Sequence, residues 1–574
     1  MRETSWLRRW RISARPALYP KGLQSTRRSF SSRFGPLVSG LVVALLTITC
    51  SLGSSSSSDP IFTPPGGNKN LAPLPESTPA GLEVPAVGGS GDIFTEQANP
   101  TTSKDSDPQE VMESGVEPAS LLELSNTPTP ERPPTDSPPI LYYTQAGDSL
   151  PVVAARFDVD PSEISSPNPI PETAFFPPDQ LLIIPHRLAN TTSDQRLLPD
   201  SEVVYSPSAV DFDVIGFVEE AGGYLSTYTE YLKSTGNTSG AAIVSRVALE
   251  NSINPRLLMT IIEHQSGWVY GQPANQIQRD YPLGYISLSH KGLFAQLTWA
   301  VQQLSSGYYG WREGILTHLS FHDGVTARMA PTINAGSAAL QHLYSKLYNT
   351  TDWVAALDIA GGLPALHERM YGNAWIRAQD VEPLYPPGLA QPVMILPFDY
   401  NVIWGFSGGP HGAWDQVGAR AALDFAPGSV EPGCAKSDAW VLAAAPGLIV
   451  RSGNGYLVLD LDGDGQEQTG WALLYLHLAT HQRIPVGTWV EAGDRLGHPS
   501  CEGGFSTGTH IHIARKYNGE WIPADGPIPF TLDGWIAKAG ELPYEGYLIK
   551  DTLTIPASVY GVYGSRIVRI LDNP

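Results

Sequence analysis

The sequence predicts a multidomain α+β protein with a small βααβ module, a mostly α domain and an antiparallel, β-rich C-terminal domain. Three observations predict it. The 574-residue length exceeds what one core fills, because single cores stop growing near roughly 250–300 residues. With 56 Gly and 51 Pro, turns, strands and linkers outweigh long helices. The apolar spacing also changes along the chain, from helical over 205–390 to short strands and turns after about residue 395.

The first 50 residues carry nine Lys/Arg and one acid, Glu3, in a chain whose net charge is −21. An acidic body is repelled by nucleic acid, whose binding depends on phosphate neutralisation. That partner class is therefore excluded. The basic start leads into PLVSGLVVALLTITC at 36–50. This run is shorter than the roughly 20 residues of a spanning helix and suits a signal-peptide core. Residues 1–50 are read as a signal peptide or a membrane or lipid anchor. Cys50 is a possible lipid carrier, although Thr47, Ile48 and Thr49 depart from the usual residues before such a cysteine.

Residues 51–140 are rich in Pro, Ser, Thr and Gly. They bury too little apolar surface to offset chain entropy, and the stretch reads as a disordered linker. Only Cys434 and Cys501 remain. In an exported chain an isolated pair is most simply a disulfide. Two buried thiols or a metal role are the alternatives.

Residues 141–186 open with a strand at Leu141 to Thr144 and a turn at Gly147–Asp148. Leu150, Val153, Ala154 and Phe157 then follow helical spacing. A second short helix is expected to carry Ile164, and Leu181–Ile184 is expected to close the unit as a strand. This order resembles the LysM module, through Tyr143-Thr144, Gly147-Asp148-Ser149-Leu150, Ala154, Phe157, Asn168 and Leu181-x-Ile183-x-Pro185. The resemblance implies binding to the glycan strands of peptidoglycan. A purely structural βααβ spacer is the plainer reading.

Within 205–390, Ile243, Val244, Val247, Leu257, Leu258, Ile261 and Ile262 lie at helical spacing, and Asn254-Pro255 opens a new helix. The region resembles the N-terminal half of lytic transglycosylases, of lysozyme-like fold. That family places a catalytic Glu before Ser, whereas here Gln265 precedes Ser266, and an amide has no acidic proton to give. The region reads as a glycan holder more than a cleaver. Trp299, Tyr308, Tyr309 and Trp311 are either sugar-stacking or core residues.

Residues 395–540 carry the chemistry. His510 and His512 are spaced i, i+2 on a predicted strand, so both imidazoles share a face. The segments around Asp424 (LDFAP), His477 (LYLHL) and His510-Ile511-His512 occur in this order and together resemble the lysostaphin-type zinc endopeptidases of bacterial cell walls. The resemblance implies Zn2+ held by Asp424 and His512, with His477 and His510 catalytic. The family pattern H-x-x-x-D fails, because Arg420 stands four before Asp424, and a guanidinium has no lone pair to offer. His411, thirteen residues before Asp424 in a Gly/Pro-rich loop, is the expected substitute ligand.

The stretch from Asp460 to Glu467 opens like a calcium loop, but Trp471 stands where an EF-hand needs Glu. It reads as a long hairpin turn, with a weakly held ion left open. Residues 541–574 form a C-terminal extension of alternating apolar strands. The whole predicts an exported zinc metalloendopeptidase that hydrolyses peptidoglycan cross-links, with peptidoglycan as partner. The alternative is a non-catalytic peptidoglycan-binding or regulatory scaffold with a degenerate metal site.

Overall fold

The computed structural model describes residues 137–429 and 431–570. The expected signal or anchor, Cys50 and nearly all of the linker lie outside the described residues. Among those described, no helix is long and apolar enough to cross a membrane.

The first unit is a strand β1 (Ile140–Tyr143), a helix α1 (Leu150–Phe157) and a strand β2 (Leu181–Ile184), with β1 and β2 antiparallel. The second predicted helix is instead a single 3-10 turn, Pro161–Glu163, ending at Ile164. Pro161 starts the turn inside an Asp160/Glu163 capping box, but Pro167, Pro169 and Pro171 forbid its extension. Buried Arg156 pairs with buried Asp148 at 2.7 Å and donates to the Trp311 carbonyl, tying this unit to the helical one.

The helical unit centres on α2 (Gly240–Asn251), α3 (Pro255–Ser266), α4 (Leu293–Arg312) and α5 (Ala335–Leu347). Asn254 caps α3 by accepting from the Arg256 N–H, with Pro255 at the first helical position. Trp299, Tyr308, Tyr309 and Trp311 are all buried, so they serve the core and present no face to a sugar. Gln265 accepts from the Tyr348 hydroxyl at 2.9 Å. Glu263 accepts from the Val269 and Tyr270 N–H groups, a structural task that closes the turn after α3.

The C-terminal unit is built on a nine-stranded sheet with antiparallel pairings. Its strands are β3 (Ile403–His411), β4 (Ala422–Pro427), β5 (Gly447–Gly453), β6 (Tyr456–Asp460), β7 (Trp471–Leu476), β8 (Trp489–Val490), β9 (Ile511–Tyr517) and β10 (Arg566–Val568). Their order across the sheet is β8-β5-β6-β7-β9-β4-β3-β10, with Glu520–Trp521 pairing on β9. Side chains alternate faces along each strand. Leu457, Leu459, Leu473, Tyr475, Ile511 and Ile513 enter one core. Val458, Ala472, Leu474, Leu476 and Ala514 enter the other, which they share with the helices. Burial on both faces explains why β7 reads WALLYL without polar alternation. Each such Leu or Val contributes about 1.5–3 kcal/mol when buried.

Polar links bind helices to sheet. The Tyr309 hydroxyl accepts from the Trp521 N–H at 3.0 Å, and Arg312 pairs with Glu520 at 2.9 Å and with Asp200 at 3.0 Å. The expected break at residue 540 falls between paired strands, because Trp535–Ala539 is antiparallel to Gly546–Lys550. β10 also pairs with β3, so the last residues described are part of this sheet.

Candidate metal centre

Asp424 sits mid-strand on β4, between Leu423 and Phe425, whose side chains enter the core on the sheet's far face. Alternation therefore turns its carboxylate to the opposite face. On one side His512 of β9 is its register partner, and on the other side Gly408 of β3 is. His411 is not in a loop, as the Gly/Pro content suggested. It ends β3, opposite Ala422. Two register shifts, between Phe406 and Gly408 and between Gly408 and His411, swing the strand end back over Asp424.

Three atoms converge. His411 Nε2 and His512 Nδ1 are 3.0 Å apart, and each lies 3.2 Å from Asp424 Oδ1. All three residues are buried. His411 donates its Nδ1–H to the Gly409 carbonyl at 2.8 Å, and His512 donates its Nε2–H to the Ala413 carbonyl at 2.8 Å. These carbonyls assign the tautomers and leave a lone pair on each inward nitrogen. Asp424 Oδ1 is buried without a hydrogen bond among the described residues. Three lone-pair atoms facing one another is a donor set that fits a metal ion.

His477 and His510 flank this trio. His510 Nε2 is 3.8 Å from Asp424 Oδ2, and the His477 and His510 ring centroids are 4.4 Å apart. Each also donates Nδ1–H to a backbone carbonyl, His477 to Glu502 at 2.9 Å and His510 to Gly508 at 2.7 Å. His477 follows β7 with φ +63°, an uncommon conformation for such a side chain. Ser500 holds it there by donating both N–H and Oγ–H to the His477 carbonyl. The disulfide Cys434–Cys501 anchors the segment between Ser500 and Glu502.

The charges follow from this packing. Burial raises the Asp424 carboxyl, but the His411 and His510 imidazoles outweigh it and hold it well below the usual range. Burial lowers His411, yet the facing Asp424 charge leaves it raised. Burial lowers His512. Burial, then His510 and His512, push His477 down to about 3.

Arg420 points elsewhere. Its guanidinium donates to the Gly540 and Glu541 carbonyls at 3.4 Å. Two neighbours escaped the sequence reading. Tyr544 stacks on His411 with centroids 4.1 Å apart, and it carries no motif signal. Gly408 leaves room for the carboxylate, since a Cβ there would meet Asp424 Oδ2 at 2.6 Å; its place three residues before His411 was the available clue.

Residues 196–384 match the family model described as LasA, N-terminal domain. Over 349 residues the chain is 27% identical to Protease LasA of Pseudomonas aeruginosa (strain UCBPP-PA14), covering 57% of this chain and 75% of that protein. The chain is similar to Protease LasA. A second Pseudomonas aeruginosa Protease LasA matches at 27% over 344 residues, with the same coverage. Among solved structures, the M23 metalloprotease pseudoalterin is 26% identical, with a TM-score of 0.26, covering 29% of this chain and 96% of that one. The lysostaphin catalytic domain from Staphylococcus simulans is 25% identical, with a TM-score of 0.16, covering 22% and 90%. The LasA N-terminal match overlaps the helical region, and the histidine cluster lies beyond it on the sheet.

Proposed function

We propose that this chain is an exported zinc metalloendopeptidase that hydrolyses peptide cross-links of bacterial peptidoglycan. The observation that supports it most is the convergence of His411 Nε2, His512 Nδ1 and Asp424 Oδ1 within 3.2 Å of one another. His477 and His510 stand beside them. The similarity to Protease LasA supports the same class. His411, Asp424 and His512 would hold the zinc, with His411 supplying the ligand absent at Arg420. When bound, zinc supplies Lewis acidity and lowers the pKa of an attacking water. His477 and His510 keep Nδ1–H on backbone carbonyls, so each offers an unprotonated Nε2 to take the water's proton. The basic, then apolar, N-terminus supports export, and the LysM-like 141–186 supports capture of glycan strands. Gln265 and the structural task of Glu263 argue against glycan cleavage by the helical unit.

The test is zinc content of the purified full chain, followed by release of new amino termini from peptidoglycan with and without a chelator. About one zinc per chain with chelator-sensitive release is expected. Peptidoglycan pull-down without release and without stoichiometric zinc would instead establish the non-catalytic scaffold with a degenerate metal site.

A further inference from the structure

The β6–β7 hairpin joins Asp460 to Trp471 through Leu461-Asp462-Gly463-Asp464-Gly465-Gln466-Glu467 and the three residues after it. Asp460, Asp462 and Asp464 each bring one carboxylate oxygen within 4.8 Å of the others. Asp462 and Asp464 are exposed, whereas Asp460 is 0% exposed. One Asp460 oxygen, Oδ2, accepts from the Gly465 N–H at 2.9 Å. The other, Oδ1, is buried with no hydrogen bond among the described residues. A buried carboxylate oxygen without a donor is costly, and two further carboxylates crowd it. Glu467 offers no relief, because its own oxygens are held by Arg451 at 2.6 Å and Lys516 at 2.8 Å.

We infer that this hairpin binds a calcium-class divalent cation through Asp460, Asp462 and Asp464, separately from the histidine cluster. The donors are all oxygen, which selects a hard cation. Their first, third and fifth placement, with Gly465 sixth at φ +90°, is the opening of a calcium loop, and the seventh place leaves the Gln466 carbonyl as a further oxygen. Trp471 in the twelfth place removes the bidentate carboxylate, so the site is weak, with Kd about 10⁻⁴–10⁻³ M as in extracellular modules. Gly470 accommodates the arrangement, since a Cβ there would fall 2.2 Å from Asp462 Oδ2. β7 leads from this hairpin directly to His477, so a cation here fixes the far end of the strand that delivers that residue.

Trp489 supplies a built-in reporter, because its ring lies against Gly463, where a Cβ would meet its Cζ3 at 2.7 Å. Calorimetric titration of CaCl₂ into the full chain is expected to show binding in that range. TbCl₃ is expected to give tryptophan-sensitised emission that calcium quenches. Asp462→Asn/Asp464→Asn, at two exposed positions, should weaken calcium by about tenfold or more through lost ligand charge. Trp489→Phe should dim terbium emission and leave calcium affinity intact. His411→Ala should bind calcium like the wild type. Absence of calcium heat and of calcium-quenched terbium emission at about 10 mM calcium would overturn the inference, and so would unchanged affinity in the double variant or loss of calcium binding in His411→Ala.

Discussion

Replacing Gly408 with alanine tests whether the carboxylate of Asp424 is held in place by the absence of one side chain. The new Cβ would lie 2.6 Å from Asp424 Oδ2 and 3.0 Å from its Cβ and Cγ. Ordinary carbon contacts begin near roughly 3.5 Å, so the carboxylate must retreat by about 0.9 Å. Donor positions in a metal site tolerate about 0.2 Å, and a misplacement of about 1 Å costs on the order of 100-fold in rate. Gly408 does not occupy the left-handed region, so no backbone strain enters. Overpacking costs about 1–3 kcal/mol of stability, less than the roughly 5–15 kcal/mol that holds a typical folded protein together. Gly405→Ala on the same strand is the matched control, because its nearest contact is the Ala426 carbonyl at 3.9 Å. Zinc affinity by competition with a chromophoric chelator, and peptide-bond cleavage in cell-wall material, should both fall about 100-fold for Gly408→Ala. Gly405→Ala should match the wild type. A folded Gly408→Ala protein with unchanged zinc affinity would refute the placement of Asp424 at the centre.

Other outcomes follow from the same geometry. His411→Ala should lose stoichiometric zinc by mass spectrometry while Arg420→Ala retains it, since the Arg420 guanidinium donates to the Gly540 and Glu541 carbonyls and has no lone pair to offer a metal. Cys434→Ser/Cys501→Ser opens a loop spanning 67 residues. It should cost about 4 kcal/mol in chemical denaturation and slow cleavage as well, because Glu502 orients His477. Acid stability should reflect two buried carboxylates. Burial raises Glu202 and Glu467, but His367 and Arg377 outweigh it for the first, and Lys516 and Arg451 for the second, leaving each at about 2. A depressed folded value stabilises above the ordinary 4.5, so stability should fall as pH drops from about 4.5 toward 2, by up to about 3 kcal/mol per group. Urea midpoints for wild type and Glu467→Gln across that range check it, and equal slopes would refute the Glu467 contribution.

The strands were legible where burial writes a pattern. His510-Ile511-His512 alternates between polar and core residues, so its strand and facing were readable from period two, whereas Asp424 was reached through the family resemblance. The helix from Pro255 was readable from its cap. The short βααβ unit was less so, because the helix expected to carry Ile164 is cut short by three prolines within ten residues of Pro161. Tyr544 was invisible, since its contact with His411 depends on a hairpin more than a hundred residues downstream.

The instructive case is His411, the proposed substitute ligand. A sequence motif such as H-x-x-x-D expects both donors to be brought together along one short stretch of chain. In this sheet Asp424 draws its partners from across the ladder: Gly408 and His411 on β3, and His512 on β9. In an antiparallel hairpin, residues far apart in sequence become neighbours, and the pairing of His411 with Ala422 brings it two residues from Asp424 in register. The bulges around Gly408 then supply the remaining displacement. Position 420, lying before β4 begins, has left the ladder, and its guanidinium is turned to the Gly540–Glu541 turn. What the proposed metal site requires is an imidazole nitrogen beside Asp424 Oδ1, and the sheet supplies that from the neighbouring strand even when the residue four places earlier cannot.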